Sequence, residues 1–136
     1  MKPIRIFFVT VFLVAMAGAR LGLAASSSDA TQTVSGGGVT VKVTFASQGS
    51  NDDPRFRVVL DTHSVGLDGY DLKTLAVLRD DQGRTYAPSG LENKDGGHHR
   101  DITLIFPKVS SKPKSLELII KEIAGVKERK FRWAVQ

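Results

Sequence analysis

The chain has 136 residues, of which 19 are Lys or Arg and 14 are Asp or Glu, so its formal net charge is +5. Three of the basic residues, Lys2, Arg5 and Arg20, lie within the first 25 residues, and without them 16 basic and 14 acidic residues remain. That small excess argues against a nucleic-acid-binding protein, which needs a clustered basic face. The chain has no cysteine, which excludes a disulfide-stabilised scaffold.

Residues 1–25 have the pattern of a secretory signal peptide. Lys2 and Arg5 precede an uncharged, mostly apolar stretch at residues 6–19, and small residues follow it. This stretch is too short to span a bilayer, which takes about 20 apolar residues. We predict cleavage after Ala19, Ala24 or Ala25 and export to the periplasm or the extracellular space, with no membrane span after signal removal. An uncleaved N-terminal anchor is the alternative.

The rest of the chain is dominated by a period of two, which is typical of strands with one buried face. Alternation begins at residues 39–45 and returns at residues 56–60, 102–106, 116–120 and 127–133. Residues 75–79 form a more apolar run whose inward face the pattern does not assign. Asp80-Asp81-Gln82-Gly83 is a turn sequence, with Gly83 free to adopt a positive φ, and residues 84–87 are the expected return strand.

About seven short strands predict an all-β fold, an antiparallel β-sandwich of the immunoglobulin-like type, and a barrel is the alternative. We divide the chain into a signal peptide (residues 1–25), a flexible lead-in (26–38) and the β-sandwich domain (39–136). A weak edge strand from Gln32 to Val34 is the other interpretation of the lead-in. Residues 64–71 and 88–100 are irregular, and such loops carry function more often than strands do.

All three histidines flank those irregular stretches. His63 follows Asp61 and Thr62, and His98 and His99 precede Arg100 and Asp101. If the apolar residues of the neighbouring strands face inward, Asp61 and His63 share an outward face, about 6.6 Å apart at a rise of roughly 3.3 Å per residue. His99 and Asp101 share an outward face in the same way, and His98 points to the opposite side.

Histidine and aspartate side chains grouped in this way are ligands that suit Zn(II) or Cu(II). The candidate metal ligands are His63, His98, His99, Asp61 and Asp101. Both methionines lie within residues 1–25, so the remaining chain has no sulfur, and this argues against a Cu(I) site. Their spacing matches no known metal motif. The alternative is that these residues hydrogen-bond to neighbouring backbone groups and hold the loops in place.

Three further patterns have two interpretations each. Asp68-Gly69-Tyr70-Asp71 supplies two carboxylates, too few for a known Ca(II) loop, so an ordinary Asp-Gly turn is favoured. Asp61, His63 and Ser64 suggest a catalytic triad, but adjacent strand residues point to opposite faces, and we predict that the protein is not an enzyme. The C-terminal stretch is either a cationic strip for acidic partners or anionic lipid, or a final strand with two aromatic anchors and a solvated edge.

Four segments together carry a resemblance to known proteins: Asp61-Thr62-His63-Ser64, residues 67–72, Gly96-Gly97-His98-His99-Arg100 and the Phe131-Arg132-Trp133 ending. The chain resembles a group of small exported prokaryotic β-sandwich proteins of uncharacterised function. The resemblance covers roughly residues 39–133, implies an exported domain and marks the same histidines. It implies no activity. The group often has an aromatic residue after the Pro-Ser that precedes the histidine loop, whereas Gly90 and Leu91 follow Pro88-Ser89 here.

The sequence therefore predicts a non-enzymatic exported binding module of the cell envelope. Its ligand is either an unknown protein partner or a divalent metal held by His and Asp at the strand-end loops. The alternative is a structural or protein-interaction domain in which the histidines only brace loops.

Overall fold

The computed structural model describes residues 30–46, 53–93, 97–109 and 112–135. Within them, nine strands and one short helix follow each other along the chain. The strands are β1 (Thr31–Gly36), β2 (Val39–Phe45), β3 (Arg55–Thr62), β4 (Ala76–Asp80), β5 (Thr85–Tyr86), β6 (Gly90–Asn93), β7 (His99–Ile105), β8 (Ser115–Ile123) and β9 (Val126–Ala134), and helix α1 (Leu72–Leu75) lies between β3 and β4. The predicted signal peptide lies outside the described residues.

The strands form two antiparallel sheets, which confirms the predicted all-β sandwich. The first sheet has the order β1-β2-β3-β7-β6, and the second has the order β5-β4-β8-β9. The chain passes from the first sheet to the second between β3 and β4, returns between β5 and β6, and passes over again between β7 and β8. No helix in the described residues is long and apolar enough to cross a membrane.

The core lies between the inner faces of the two sheets. Phe56, Val58 and Leu60 of β3 are completely buried, and the residues between them face outward, as the alternation predicts. β7 follows the same pattern with Ile102 and Leu104. Burial of these side chains is the main favourable contribution to folding, about 1.5–3 kcal/mol for each large apolar side chain.

An aromatic cluster fills one end of this core. The ring centroid of Trp133 lies 5.2 Å from that of Phe56, 6.0 Å from that of Phe45 and 6.4 Å from that of Phe131. The indole N–H of Trp133 donates a hydrogen bond of 3.1 Å to the carbonyl of Ala30. The last strand therefore buries its two aromatic residues and exposes all of its charged residues except Arg129, which agrees with the interpretation as a final strand with two aromatic anchors.

Side-chain hydrogen bonds join the two sheets along one side of the sandwich. The amide of Gln32 in β1 accepts from the backbone N–H of Arg132 at 3.2 Å and donates to its carbonyl at 2.5 Å. Gln32 thus covers part of the outer edge of β9 in the way a neighbouring strand would. This arrangement blunts an edge that could otherwise pair with another chain.

The turn between β4 and β5 is built around a buried carboxylate. Asp80 accepts hydrogen bonds from the backbone N–H groups of Gln82 and Arg84, from the Arg84 guanidinium and from the Tyr86 hydroxyl. Burial acts to raise the pKa of Asp80, but these hydrogen bonds together outweigh it and hold the pKa below its usual value. Gly83 has the predicted positive φ, 80°.

Two strands and one helix were not expected as complete elements. β1 lies within residues 26–38, at the weak edge strand that we gave as the alternative to a flexible lead-in, and it pairs with β2 from Thr31 to Gly36. β6 pairs with β7 over only four residues. The single-turn helix α1 begins after Asp71, whose carboxylate accepts a hydrogen bond from the Lys73 N–H.

Candidate functional site

Four connections meet at one end of the sandwich, which we call the histidine end. They are the β1–β2 turn (residues 37–38), the loop from residue 63 to residue 71, the residues 97–98 that precede β7, and the β8–β9 turn (residues 124–125). The strand register brings them together, since Val39 lies opposite Thr62 and Asp61 lies opposite His99. Ala30, the first described residue, lies at the other end beside Trp133.

Asp61 and His99 are direct partners across β3 and β7. The Nδ1 atom of the His99 imidazole makes a hydrogen bond with Oδ1 of Asp61. Both side chains remain about half exposed, 57% for His99 and 51% for Asp61. A carboxylate can only accept, so Nδ1 is the donor, and the lone pair of a neutral ring lies on Nε2. The sequence placed both residues on outward faces but did not pair them.

Asp101 lies on the same outer face but is engaged by a different residue. Arg57 donates from Nε to Oδ1 at 2.9 Å and from its terminal nitrogen to Oδ2 at 2.5 Å. This two-pronged contact raises the pKa of Arg57 through its hydrogen bond and its charge interaction with Asp101. Asp101 therefore serves as an ion-pair partner of Arg57 across the sheet.

His63 and His98 lie at the same corner of the first sheet. β3 ends at Thr62, whose N–H donates a hydrogen bond of 3.1 Å to the carbonyl of His98. His98 and His63, the residue that follows Thr62, are both exposed. All three histidines therefore lie at the same end of the β3–β7 pair: His99 is the first residue of β7, His98 precedes it, and His63 follows β3. Within the described part of the chain, no group of three or more His, Cys, Asp or Glu side chains is placed to hold a metal ion.

Thr62 ties three segments of the histidine end together. Its hydroxyl donates a hydrogen bond of 2.8 Å to the carbonyl of Gly38 in the β1–β2 turn. The same oxygen accepts from the N–H groups of Ser64 and Val65, at 3.2 and 3.0 Å. Thr62 points inward in phase with the apolar residues of β3, so the turn after β3 is fixed by a nearly buried hydroxyl. The Ser64 backbone is thereby held by the Thr62 side chain.

Arg100 holds the long loop from the side of β7. Its side chain is 8% exposed, and one guanidinium nitrogen donates to the carbonyls of Leu67 and Tyr70 at 2.9 and 2.6 Å. Asp68, in the same loop, accepts a hydrogen bond of 3.0 Å from the N–H of Gly97. Asp68 and Asp71 thus have separate structural roles, in a loop contact and in a helix cap, which fits the turn interpretation of this segment.

The β8–β9 turn is held in an uncommon backbone conformation. Glu122, near the end of β8, and Ala124, in the turn, have positive φ values of 55° and 53°, which cost energy for residues with a Cβ atom. The Tyr70 hydroxyl accepts a hydrogen bond of 3.0 Å from the Ala124 N–H. Gly37 lies against this turn so closely that an added Cβ would come within 2.1 Å of the Ala124 carbonyl oxygen.

The buried side chain of Arg129 links the β1–β2 turn to the β8–β9 turn. It is 1% exposed and donates to the carbonyl of Ile123 at 2.9 Å and to that of Gly36 at 2.6 Å. Burial lowers the pKa of this guanidinium, and the neighbouring Tyr70 acts in the opposite direction.

The residues that hold the histidine end were not candidates from the sequence. Thr62, Arg100 and Arg129 each stand at a position where the alternation predicts an inward side chain. A polar or charged residue in that phase near a strand end is the signal that could have identified them, because buried polar groups need hydrogen-bond partners.

The loops of the histidine end are therefore fixed to one another by Thr62, Tyr70, Arg100 and Arg129, while the histidine rings lie on the exposed surface. Comparison with known proteins adds no function to this geometry: no protein-family profile, no curated protein and no solved structure shows significant similarity to the chain.

Proposed function

We propose that this protein is a non-enzymatic binding module exported to the cell envelope and that the histidine end is its recognition surface. The observation that carries the proposal is the mutual bracing of four connections by buried side chains. Thr62 and Arg100 fix the loop after β3, and Tyr70 and Arg129 fix the β8–β9 turn. A surface that is already ordered loses less conformational entropy when it binds, so rigid loops favour recognition.

We infer further that the sandwich is of the immunoglobulin-like type. The orders β2-β3-β7-β6 and β5-β4-β8-β9 correspond to strands A-B-E-D and C′-C-F-G of that fold, with β1 as an additional strand. The three connections after β3, β6 and β8 then correspond to the loops between B and C, D and E, and F and G. Immunoglobulin-like domains cluster their loops at the ends of the sandwich, and some of them bind ligands there.

Export is the second part of the proposal, and residues 1–25 are its basis. Their basic start, short apolar stretch and small residues favour a cleaved signal peptide. N-terminal sequencing of the protein recovered from the exported fraction should give a start between Arg20 and Ser26. An intact Met1 in the membrane fraction would instead establish an N-terminal anchor.

The competing proposal is a structural or protein-interaction domain in which the histidines brace loops. The contact between His99 and Asp61 is the observation that favours it, because it ties the start of β7 to the end of β3. The two proposals differ in what the exposed loops contact in the cell, and this difference can be measured.

Site-specific photocrosslinking tests the recognition surface. Gly66 and Gly69 suit the probe, since an added side chain at either position meets nothing within 4 Å. Asp81, in the exposed β4–β5 turn at the opposite end, is the matched control. We expect one discrete crosslinked product from Gly66 and Gly69 and none from Asp81. Equal products from all three positions, or no product from the loop, would contradict a recognition role for the histidine end.

A further inference from the structure

We propose that the outer face of the second sheet is a docking surface for anionic phospholipid headgroups. We call it the basic face, and its basic members are Arg79, Lys121, Lys130 and Arg132 on the sheet and Lys112 and Lys114 in the segment directly before β8. This surface is separate from the histidine end, so the proposal goes beyond the recognition role given above.

The strand register places the sheet members on one face. Arg79 lies opposite Glu117, and Glu117 lies opposite Arg132, which makes one row across three strands. Lys121 lies opposite Glu128 in another outward row, nearer the histidine end. Strands lie about 4.8 Å apart and residues rise roughly 3.3 Å along each strand, so these side chains start from an area about 10 Å wide and about 13 Å long. A patch of this shape contacts a surface rather than a single extended chain.

The last strand contributes to both sides of the second sheet. Phe131 and Trp133 point into the core, so their neighbours Lys130 and Arg132 point outward. The basic face therefore requires β9 to be an anchored core strand. It differs in this respect from the cationic strip at residues 127–133, which is the alternative to a core strand.

Positive charge is concentrated on this face. It holds six of the 16 basic residues that lie beyond residue 25 and two of the 14 acidic ones, Glu117 and Glu128. Its net charge is therefore +4, whereas the rest of that part of the chain has two more acidic than basic residues. Glu122 and Lys127, on either side of the β8–β9 turn at the margin of the face, offset each other. Such an excess of one sign attracts a surface of the opposite sign.

Most of the basic groups on this face are not neutralised by a carboxylate. Glu117 accepts a hydrogen bond from Arg79, and Glu128 lies 3.7 Å from the Lys130 ammonium. The described part of the chain offers no ion-pair partner to the other four, which are Lys112, Lys114, Lys121 and Arg132. These four charges are therefore available to an anionic partner.

The residues between the two basic rows are apolar. Val77 lies opposite Ile119, and Ile119 lies opposite Lys130, so an apolar row separates Arg132 from Lys121. Lys and Arg side chains have an apolar stem and a charged end, which suits a headgroup layer where charge and hydrocarbon lie close together. This composition favours a phospholipid surface over a soluble polyanion.

The place where the chain enters the domain favours the same partner. Ala30, the first described residue, contacts Trp133 of β9, the last strand of the second sheet. The segment that precedes residue 30 therefore joins the domain beside the basic face. An N-terminal anchor within residues 1–25, the alternative to a cleaved signal peptide, would hold this same edge near a bilayer.

Cosedimentation with lipid vesicles tests the basic face. The protein recovered from the exported fraction should bind vesicles of phosphatidylcholine mixed with phosphatidylglycerol and not vesicles of phosphatidylcholine alone. Each basic residue near an anionic surface strengthens binding about fivefold, so Lys114→Gln and Arg132→Gln together should weaken it about 25-fold. Raising the salt from about 0.1 M to about 1 M shortens the screening length from about 10 Å to about 3 Å and should abolish binding.

Lys42→Gln and Lys73→Gln together are the matched control. They change the net charge by the same amount, but Lys42 lies on the first sheet and Lys73 in helix α1, and both are exposed. This control should retain most of the wild-type binding, and circular dichroism should show that both double variants are folded.

Equal losses in the two double variants, or equal binding to both kinds of vesicle, would overturn the proposal. Binding to heparin without binding to anionic vesicles would also overturn it, because the partner would then be a polyanionic chain. Photocrosslinks from Gly66 and Gly69 are independent of these outcomes, so failure of the basic face would leave the recognition role of the histidine end in place.

Discussion

Replacing Trp133 by alanine tests the assignment of β9 as a core strand. Trp133 is 6% exposed, and its ring packs against those of Phe45, Phe56 and Phe131. Its indole N–H also holds the carbonyl of Ala30, so it ties the start of β1 to the last strand. The substitution removes the central ring of this cluster and one hydrogen bond between the sheets.

The expected loss of stability follows from these contacts. Truncation of a buried large aromatic to alanine costs about 3–5 kcal/mol. The lost hydrogen bond contributes about 1 kcal/mol to that sum, and the Ala30 carbonyl can regain water because Ala30 is half-buried. The free energy of unfolding of a domain of this size is about 5–15 kcal/mol. With a slope of about 2 kcal/mol per molar urea, the midpoint should fall by roughly 2 M.

Urea unfolding followed by far-ultraviolet circular dichroism measures this loss without using the tryptophan as the probe. Lys130→Ala is the matched control, because Lys130 is an exposed residue of the same strand and its loss should change stability by no more than about 0.5 kcal/mol. If Trp133→Ala unfolds within about 1 kcal/mol of Lys130→Ala, β9 does not anchor the core, and the cationic-strip interpretation of this segment regains support.

Two further substitutions test the turns. The Asp80 pKa lies below its usual value in the folded protein, so this carboxylate stabilises the fold above its unfolded pKa of about 3.9, and the gain is lost as pH falls through the folded value. Asp80→Asn should therefore be less stable than wild type at pH 7, and the difference in stability should disappear as the pH falls below about 4. The control Asp81→Asn should have the same dependence of stability on pH as wild type. Parallel curves of stability against pH for wild type and Asp80→Asn would contradict this role of Asp80. Gly83→Ala should lower the stability by about 1–2 kcal/mol because of the positive φ alone. Gly37→Ala should lower it by about 1–3 kcal/mol more, because the new methyl group meets the Ala124 carbonyl. Equal losses of stability for the two variants in thermal unfolding would rule out that close contact.

The strand pattern could be predicted because hydrophobic alternation is a local property. Phe56, Val58 and Leu60 identify β3 and its inward face from the sequence, and Gly83 identifies the turn before β5. β1 is different, since Thr and Gln alternate there with only one large apolar residue, Val34, and the strand is fixed by pairing with β2 and by the Gln32 amide. Such tertiary contacts override weak local propensity.

The candidate site shows the same division. The outward faces of Asp61 and His99 follow from the alternation on each strand, but their contact depends on the register between β3 and β7. That register is set by the whole sheet, and one residue of slip would turn each side chain to the other face. The pairing of Asp101 with Arg57 likewise joins neighbours across the sheet that are 44 positions apart in sequence. Neither pairing has a local signal in the sequence.

Arg129 provides the sharpest test of how the histidine end is held. Its guanidinium donates to the carbonyls of Gly36 and Ile123, which immediately precede the two turns, while among the described residues its Nε has no hydrogen-bond partner. Arg129→Lys keeps the charge but loses the planar fork that reaches two acceptors. A buried carbonyl left without a donor costs about 1–3 kcal/mol, so the free energy of unfolding of Arg129→Lys should be lower than that of wild type by about this amount.

Arg129→Met leaves both carbonyls without a donor and should lose more stability than Arg129→Lys, even though it removes a buried charge. Hydrogen exchange should increase in the turns at residues 36–38 and 123–125 in both variants, whereas the exposed Arg132→Lys should leave it unchanged. A methionine variant as stable as wild type would mean that the desolvation of the guanidinium outweighs its hydrogen bonds. The ordered turns would then depend on Thr62 and Tyr70 alone.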